Sequence, residues 1–175
     1  MIKIRRLQKS DGKQLLDLAT RFLKKEQKGK IASKKLLPLI EYKDYDSHLN
    51  EDVKKYTKLN SRRAIIFVAE MLSISTATLS VAEDGKRLIG YIYGRIENRP
   101  KMVLDRCGII EDWFVEEKYR GQGIGEMLWD KLIRWFKSKK CNCLETDAYP
   151  TNKLAVNIYH ELGFIDKKIV LMKKL

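Results

Sequence analysis

The chain is poor in the residues that build metal centres and disulfide frameworks: three cysteines and two histidines in 175 residues. The odd count of cysteines (Cys107, Cys141 and Cys143), with no secretory leader, predicts reduced thiols and a cytoplasmic setting. Cys141-Asn142-Cys143 has no second cysteine or histidine cluster to complete a four-ligand zinc site, so no metal is expected. No apolar run approaches the length that a bilayer span requires, so no membrane partner is expected either. Long runs of one charge are also missing, although 36 basic against 23 acidic residues leave a net charge of +13. The lysine pairs beginning at Lys24, Lys34, Lys54, Lys139, Lys167 and Lys173 are spread along the chain. Charge scattered in this way marks a solvated face, with room for a polyanion site, rather than a nucleic-acid track.

What is present is a foldable mixture: 44% hydrophobic and 34% charged residues, without repeat, linker or low-complexity segment. The expectation is one α/β domain over residues 1–175. Ile2 to Leu7 alternates as a first strand, and Ser10-Asp11 offers an N-cap. Leu15, Leu18, Ala19, Phe22 and Leu23 then recur at helical spacing to about Lys25. Residues 26–46 are polar, punctuated by Gly29 and Pro38, and a second helix is expected from Ser47 or Asn50. Ala64 to Ala69 reads equally as a helix extension or as a strand. Thr78 to Ala82 reads as a strand, with Asp84-Gly85 turning into a strand at Leu88 to Tyr93. Asn98-Arg99-Pro100 breaks the next connection. Gly108 to Val115 is an apolar strand that carries Glu111 and Asp112. A helix follows over Gly123 to Ser138, with Ile124, Leu128, Leu132, Trp135 and Phe136 on one face. Leu144 to Ala148 is a strand, and Pro150-Thr151 opens a short helix with Leu154, Ile158 and Leu162 in register. Gly163 caps that helix with Phe164 behind it, and Ile169 to Met172 is the last strand.

The segment most suggestive of chemistry is Lys118-Tyr119-Arg120-Gly121-Gln122-Gly123-Ile124-Gly125, between a strand and an amphipathic helix. Glycines let backbone approach a ligand closely, and a helix N-terminus presents unpaired N–H groups with partial positive charge. Arg120 adds a fixed charge, so the loop reads as a cradle for linked phosphates. It lacks both the Gly-x-Gly-x-x-Gly spacing of dinucleotide folds and the Gly-Lys-Ser/Thr ending of a P-loop.

Trp113 to Gly125 resembles motif A of the GNAT superfamily of N-acetyltransferases, whose signature is Arg/Gln-x-x-Gly-x-Gly/Ala. Asn152 to Phe164 resembles that family's Asn…Ala…Tyr…Leu-Gly-Phe segment. The resemblance implies a GNAT fold: a mixed central sheet of about six to seven strands, splayed at the coenzyme-binding strand, with helices on both faces. It implies acetyl-CoA as cosubstrate, its pantetheine arm bonded to the main chain of Trp113, Phe114 and Val115. It also implies pyrophosphate on the N–H groups of Gly121, Gln122, Gly123, Ile124, Gly125 and Glu126, beside Arg120, with a further coenzyme contact from Asn152.

The implied reaction is direct attack of a primary amine (a small amine, an amino acid or a protein amine) on the thioester in a ternary complex. An alkyl amine with a pKa of about 10.4 must lose a proton first, so a base is needed. Ile110 to Val115 resembles the Leu-Glu-Asp-Phe-Phe-Val strand of diamine and thialysine acetyltransferases, which implies Glu111 as the base, with Asp112 as runner-up. On a regular strand the two acids point to opposite faces. The resemblance implies Tyr159 as proton donor to the leaving thiolate and also as a coenzyme contact, with a main-chain N–H near Val115 for the oxyanion. Cys107 has no evident histidine partner and is not expected to form a covalent intermediate. The alternative is a non-catalytic acyl-CoA-binding sensor or scaffold. A homodimer and the identity of the amine are left open, because residues 26–83, on the acceptor side, match no particular subfamily.

Overall fold

The computed structural model describes residues 1–25, 35–40, 62–72 and 86–175, together with Ser47 and Glu51. Among the described residues five strands form one sheet in the order of the chain: β1 (Ile2–Arg6), β2 (Ala64–Leu72), β3 (Lys86–Asn98), β4 (Arg106–Val115) and β5 (Cys143–Thr146). The first four pair antiparallel, and β4 pairs with β5 in parallel. Helix α1 (Gly12–Lys25) lies on one face and α3 (Ile124–Ser138) on the other; a short α2 (Leu37–Ile40) precedes β2, and α4 (Lys153–Glu161) follows β5. No helix among the described residues is long and apolar enough to cross a membrane.

Two apolar layers hold the sheet. Leu15, Leu18 and Ala19 of α1 cover Ile66, Val68, Tyr91 and Phe114. On the opposite face Ile124, Leu128, Leu132, Trp135 and Phe136, the five positions expected to share one side of the helix, are all buried against Ile65, Ile92, Ile96 and Ile110. Close approach of α3 requires glycine in the sheet. A Cβ on Gly108 would stand 2.7 Å from the Phe136 ring, and one on Gly94 would stand 2.6 Å from Leu132. Gly108→Ala is therefore expected to overpack the core and cost about 1–3 kcal/mol, read as a lower midpoint in thermal unfolding. An unchanged midpoint would show that Phe136 swings aside freely.

Several sequence expectations are revised. Ala64 to Ala69, left open between helix and strand, belongs to β2, which pairs with β3 throughout and with β1 from Phe67 onward. Asp11 is buried; its carboxylate accepts from the Gln8 N–H at 2.7 Å and from the Arg5 guanidinium, so it tethers a 3-10 turn to β1. The fifth strand is Cys143–Thr146, shorter than the expected span from Leu144 to Ala148. Helix α4 starts at Lys153, with Asn152 rather than Pro150-Thr151 at its cap. Leu154 and Leu162 are exposed, because the packed side of α4 is the one bearing Ala155, Val156 and Tyr159, one residue round. Ile169 to Met172 forms no strand in the described sheet, which has five strands rather than six or seven: a strand needs a neighbour for its hydrogen bonds. Gly163 does cap α4 in a left-handed conformation (φ +86°), with the Phe164 N–H bonded to Tyr159 O at 2.9 Å. The expected strand at Thr78 to Ala82, the Asp84-Gly85 turn and, apart from Ser47 and Glu51, the expected second helix lie outside the described residues.

Candidate active site

The two parallel strands, β4 and β5, part company. Pairing of β4 with β5 runs from Cys107↔Cys143 to Ile110↔Thr146 and stops, whereas β4 continues against β3 as far as Val115. The point of parting carries a β-bulge: Tyr93 faces Asp112 and Gly94 faces Ile110, which leaves Glu111 as the extra residue on β4. A bulge bends its strand and strengthens the local twist, and so turns β4 away from β5. Beyond it the Glu116 N–H bonds Ile89 O on β3 at 2.9 Å. Alternation then turns the main chain of Phe114 toward β3 and that of Trp113 and Val115 toward the gap. On that side Val115 O accepts from Arg120 Nε at 3.0 Å.

At the far end of β4 the chain enters α3 through two left-handed glycines, Gly121 (φ +73°) and Gly123 (φ +74°). Nothing lies within 4 Å of where a Cβ would stand on either, so conformation rather than crowding demands glycine there. Gly123 is the N-cap and carries no capping side chain, so the first-turn N–H groups of Ile124, Gly125 and Glu126 are left without a helical acceptor. Gly125 faces Trp113, with its virtual Cβ 3.5 Å from the indole. The Arg120 guanidinium packs over Phe114 at 5.9 Å, and Gln122 bonds back to Lys118 O at 3.4 Å.

Tyr159 reaches the gap from α4. Its ring lies 6.3 Å from Trp113 and 5.5 Å from Phe164, and Trp113 stacks on Trp129 of α3 at 5.3 Å. Its hydroxyl lies beside Thr146, whose own hydroxyl donates to Ile110 O at 3.2 Å, where β4 and β5 last pair. Burial pushes the phenol above its ordinary range, and the charges of Asp147 and Asp112 push the same way against the Thr146 hydroxyl. The phenol therefore keeps its proton at neutral pH. Asn152 spends its side-chain oxygen on the Ala155 N–H, at 3.3 Å.

The bulge also redirects the acids. Residues opposite each other across a sheet share a face. Asp112 opposes Tyr93, and Glu111 bonds Arg95, two residues further along β3, so both acids emerge on the α1 side rather than on opposite faces. The two differ in company. Glu111 is an ion-pair partner of Arg95, which also holds Glu97 at 3.0 Å. Asp112 is half-buried, and its charge is felt at the Tyr159 hydroxyl. Glu116 is buried but matched by Arg21 at 2.7 Å and Arg87 at 3.0 Å, so it adds no net negative charge to the cleft. Burial and the neighbouring Cys143 push the Cys107 thiol up to about 12, which makes it a poor nucleophile. No cluster of three or more His, Cys, Asp or Glu suited to a metal occurs among the described residues.

The profile of the Acetyltransferase (GNAT) family matches residues 43–164. The chain belongs to this family. N-alpha-acetyltransferase 30 of Xenopus laevis is 34% identical over 90 residues, 51% of this chain and 32% of that protein. The chain thus aligns with only about a third of that relative's length. Among solved structures, a predicted acetyltransferase with acetyl-CoA from Clostridium acetobutylicum superposes with a TM-score of 0.68 at 19% identity, covering 99% of this chain and 96% of that one. The aminoglycoside N-acetyltransferase AAC(6')-Iy in complex with CoA gives 0.64 at 18% identity over 100% of this chain and 95% of that one. Both share the fold.

In this GNAT domain the structure brings Trp113, Val115, Tyr159 and the glycine-rich entrance around one gap. Sequence reading missed Thr146, Trp129 and Arg95. Thr146 and Trp129 stand in the expected strand and helix, but nothing in their spacing singles them out. Arg95 lies on a different strand from Glu111, and the pairing depends on register.

Proposed function

We propose that this chain is an acetyl-CoA-dependent N-acetyltransferase that acts by direct attack in a ternary complex, with a peptide or protein α-amine as acceptor. The observation that carries the reading is the gap beyond Ile110, which leads to a helix entrance whose glycines adopt φ of +73° and +74° with open space beside them. Main-chain groups of Trp113 and Val115, with Phe114 behind them, suit an extended pantetheine arm. The N–H groups from Gly121 to Glu126, with Arg120 alongside, suit a pyrophosphate. The bound coenzyme supplies an acyl carbon already activated as a thioester.

Tyr159, held protonated by its burial, serves in this reading as the proton donor to the leaving thiolate. What supports Asp112 as the group receiving the amine proton is its nearness to the Tyr159 hydroxyl, where its charge is felt, with Glu111, ion-paired to Arg95, as the alternative. The acceptor follows from the same balance. An α-amine, with a pKa of about 7.7–8.0, is roughly one-tenth neutral at pH 7, whereas a lysine-like amine of pKa about 10.4 is neutral in fewer than about one molecule in a thousand. The α-amine therefore asks least of a weak carboxylate base. The name N-alpha-acetyltransferase 30, borne by a relative, points the same way.

Calorimetry with acetyl-CoA, then coenzyme thiol release with free α-amine peptides, N-blocked lysine peptides and diamines, tests the reading. No affinity for acetyl-CoA would end it. Release only with lysine or diamines would remove the α-amine acceptor, and binding without release on any amine would leave the sensor reading. Gly123→Val is expected to weaken acetyl-CoA binding about 10-fold or more, since a β-branched residue at positive φ costs about 1–3 kcal/mol. Unaltered affinity by calorimetry would show that the cradle does not depend on this conformation.

A further inference from the structure

The seam between β4 and β5 carries a pair of thiols that acyl transfer does not use. Cys107 on β4 stands directly opposite Cys143 on β5, as the first pair of their parallel ladder. Partners across a ladder share a face of the sheet, and neighbouring strands lie about 4.8 Å apart. That separation falls within the Cα spacing of about 4.4–6.8 Å that a disulfide spans. The Cys143 thiol acts on the Cys107 thiol both as a hydrogen-bond partner and through its charge. Each thiol otherwise makes a long contact with a main-chain carbonyl: Cys107 Sγ lies 3.9 Å from Gly108 O, and Cys143 Sγ lies 3.9 Å from Leu104 O.

The pair is asymmetric. Cys107 is 1% exposed, and burial first, then Cys143, hold its thiol protonated. Cys143 is half-buried. An oxidant from solution therefore meets Cys143 first, with Cys107 behind it as a resolving thiol. Arg99, which bridges Glu97 and Glu145, is near enough for its charge to favour the Cys107 thiolate. Cys141 is the competing partner, but it precedes β5 and packs against the core on the α3 side.

We infer that Cys107 and Cys143 are a dithiol that closes to a disulfide on exposure to a peroxide and reopens with a thiol reductant. In the first step Cys143 Sγ attacks one peroxide oxygen, the O–O bond breaks and water leaves, which gives a sulfenic acid on Cys143. Cys107 Sγ then attacks Cys143 Sγ. The S–S bond forms, the S–O bond breaks, and the departing hydroxide takes the Cys107 proton as water. The two thiols together lose two electrons, and one peroxide becomes two waters. The bridge closes a loop from Cys107 to Cys143 that holds both the glycine-rich entrance and the whole of α3. A cross-link of that span restricts the unfolded chain and so favours the folded one. Where the surroundings keep thiols reduced, such a bridge is transient and answers to oxidant.

The full chain treated with hydrogen peroxide, then alkylated in denaturant and weighed by mass spectrometry, tests this. The expected result is three alkylated thiols before treatment and one, Cys141, after it. A peptide map should join Cys107 to Cys143, and the thermal midpoint should rise by about 5–10 °C and return with dithiothreitol. Cys141→Ser should close as the unmodified chain does. Cys107→Ser should stop at a dimedone-reactive sulfenic acid on Cys143, and Cys143→Ser should leave Cys107 unoxidised over the same time. Three thiols remaining after treatment, a bridge through Cys141, or a Cys143 sulfenic acid that never closes in the unmodified chain would each overturn the inference.

Discussion

Tyr159→Phe is expected to lower turnover about 100-fold and leave acetyl-CoA affinity within about threefold, because the ring keeps its contacts with Trp113 and Phe164 while the proton donor is lost. Burial first, and the charges of Asp147 and Asp112 next, hold the phenol above its ordinary value. The protonated form therefore persists as pH rises, and turnover should show no Tyr159-dependent fall below about pH 10. Two results would count against this role. Full activity of the variant would reduce Tyr159 to a packing residue. An alkaline fall near pH 8–9 that the variant abolishes would mean that the phenol titrates low. Asp112→Asn should lower turnover more than Glu111→Gln does. The reverse outcome would return the base to Glu111.

The second large effect concerns stability. Arg5 on β1 makes a two-pronged contact with Asp11, at 2.6 and 2.8 Å, and donates to Glu70 on β2 at 2.7 Å. Asp11 is 5% exposed and Glu70 is 4% exposed. Arg5→Leu would strand two buried carboxylates, and we expect a loss of about 3–5 kcal/mol. In a chain of this length that lowers the unfolding midpoint by about 10 °C. Adding Asp11→Asn and Glu70→Gln to Arg5→Leu should recover much of the loss, since it is the unmatched charge that costs. A change of under about 1 kcal/mol in Arg5→Leu alone would place these acids in contact with water after all. Burial raises the Asp11 carboxyl, but its bonds from Arg5 and the Gln8 N–H outweigh that and leave it below its ordinary value. A carboxyl depressed in the folded state stabilises above its unfolded pKa, about 3.9, and loses that contribution as pH falls through the folded value. The unmodified chain should therefore lose stability on the acid side, and Asp11→Asn should flatten that limb.

Much of this molecule is legible residue by residue. The spacing of Ile124, Leu128, Leu132, Trp135 and Phe136 defines the buried face of α3, and Gly163 announces the end of α4, because helix periodicity and left-handed caps are local properties. The glycine pair at 121 and 123 is local in the same sense. What local reading mistook is instructive. Ile169 to Met172 has the composition of a strand, but composition cannot provide a neighbour. Leu154 and Leu162 have helical spacing, but the side of α4 that packs was chosen by Tyr159 meeting Trp113.

The order of residues along the chain, by itself, determined the buried face of α3, the glycine-rich entrance to that helix and the family to which the chain belongs, since each rests on neighbours a few positions apart. Tertiary structure alone decided the bulge at Glu111, which places both acids on one face, the Arg95 partner that occupies one of them, and the parting of β4 from β5 beyond Ile110. These depend on register between strands distant in sequence. A slip of one residue in pairing would send every side chain of β4 to the other side of the sheet.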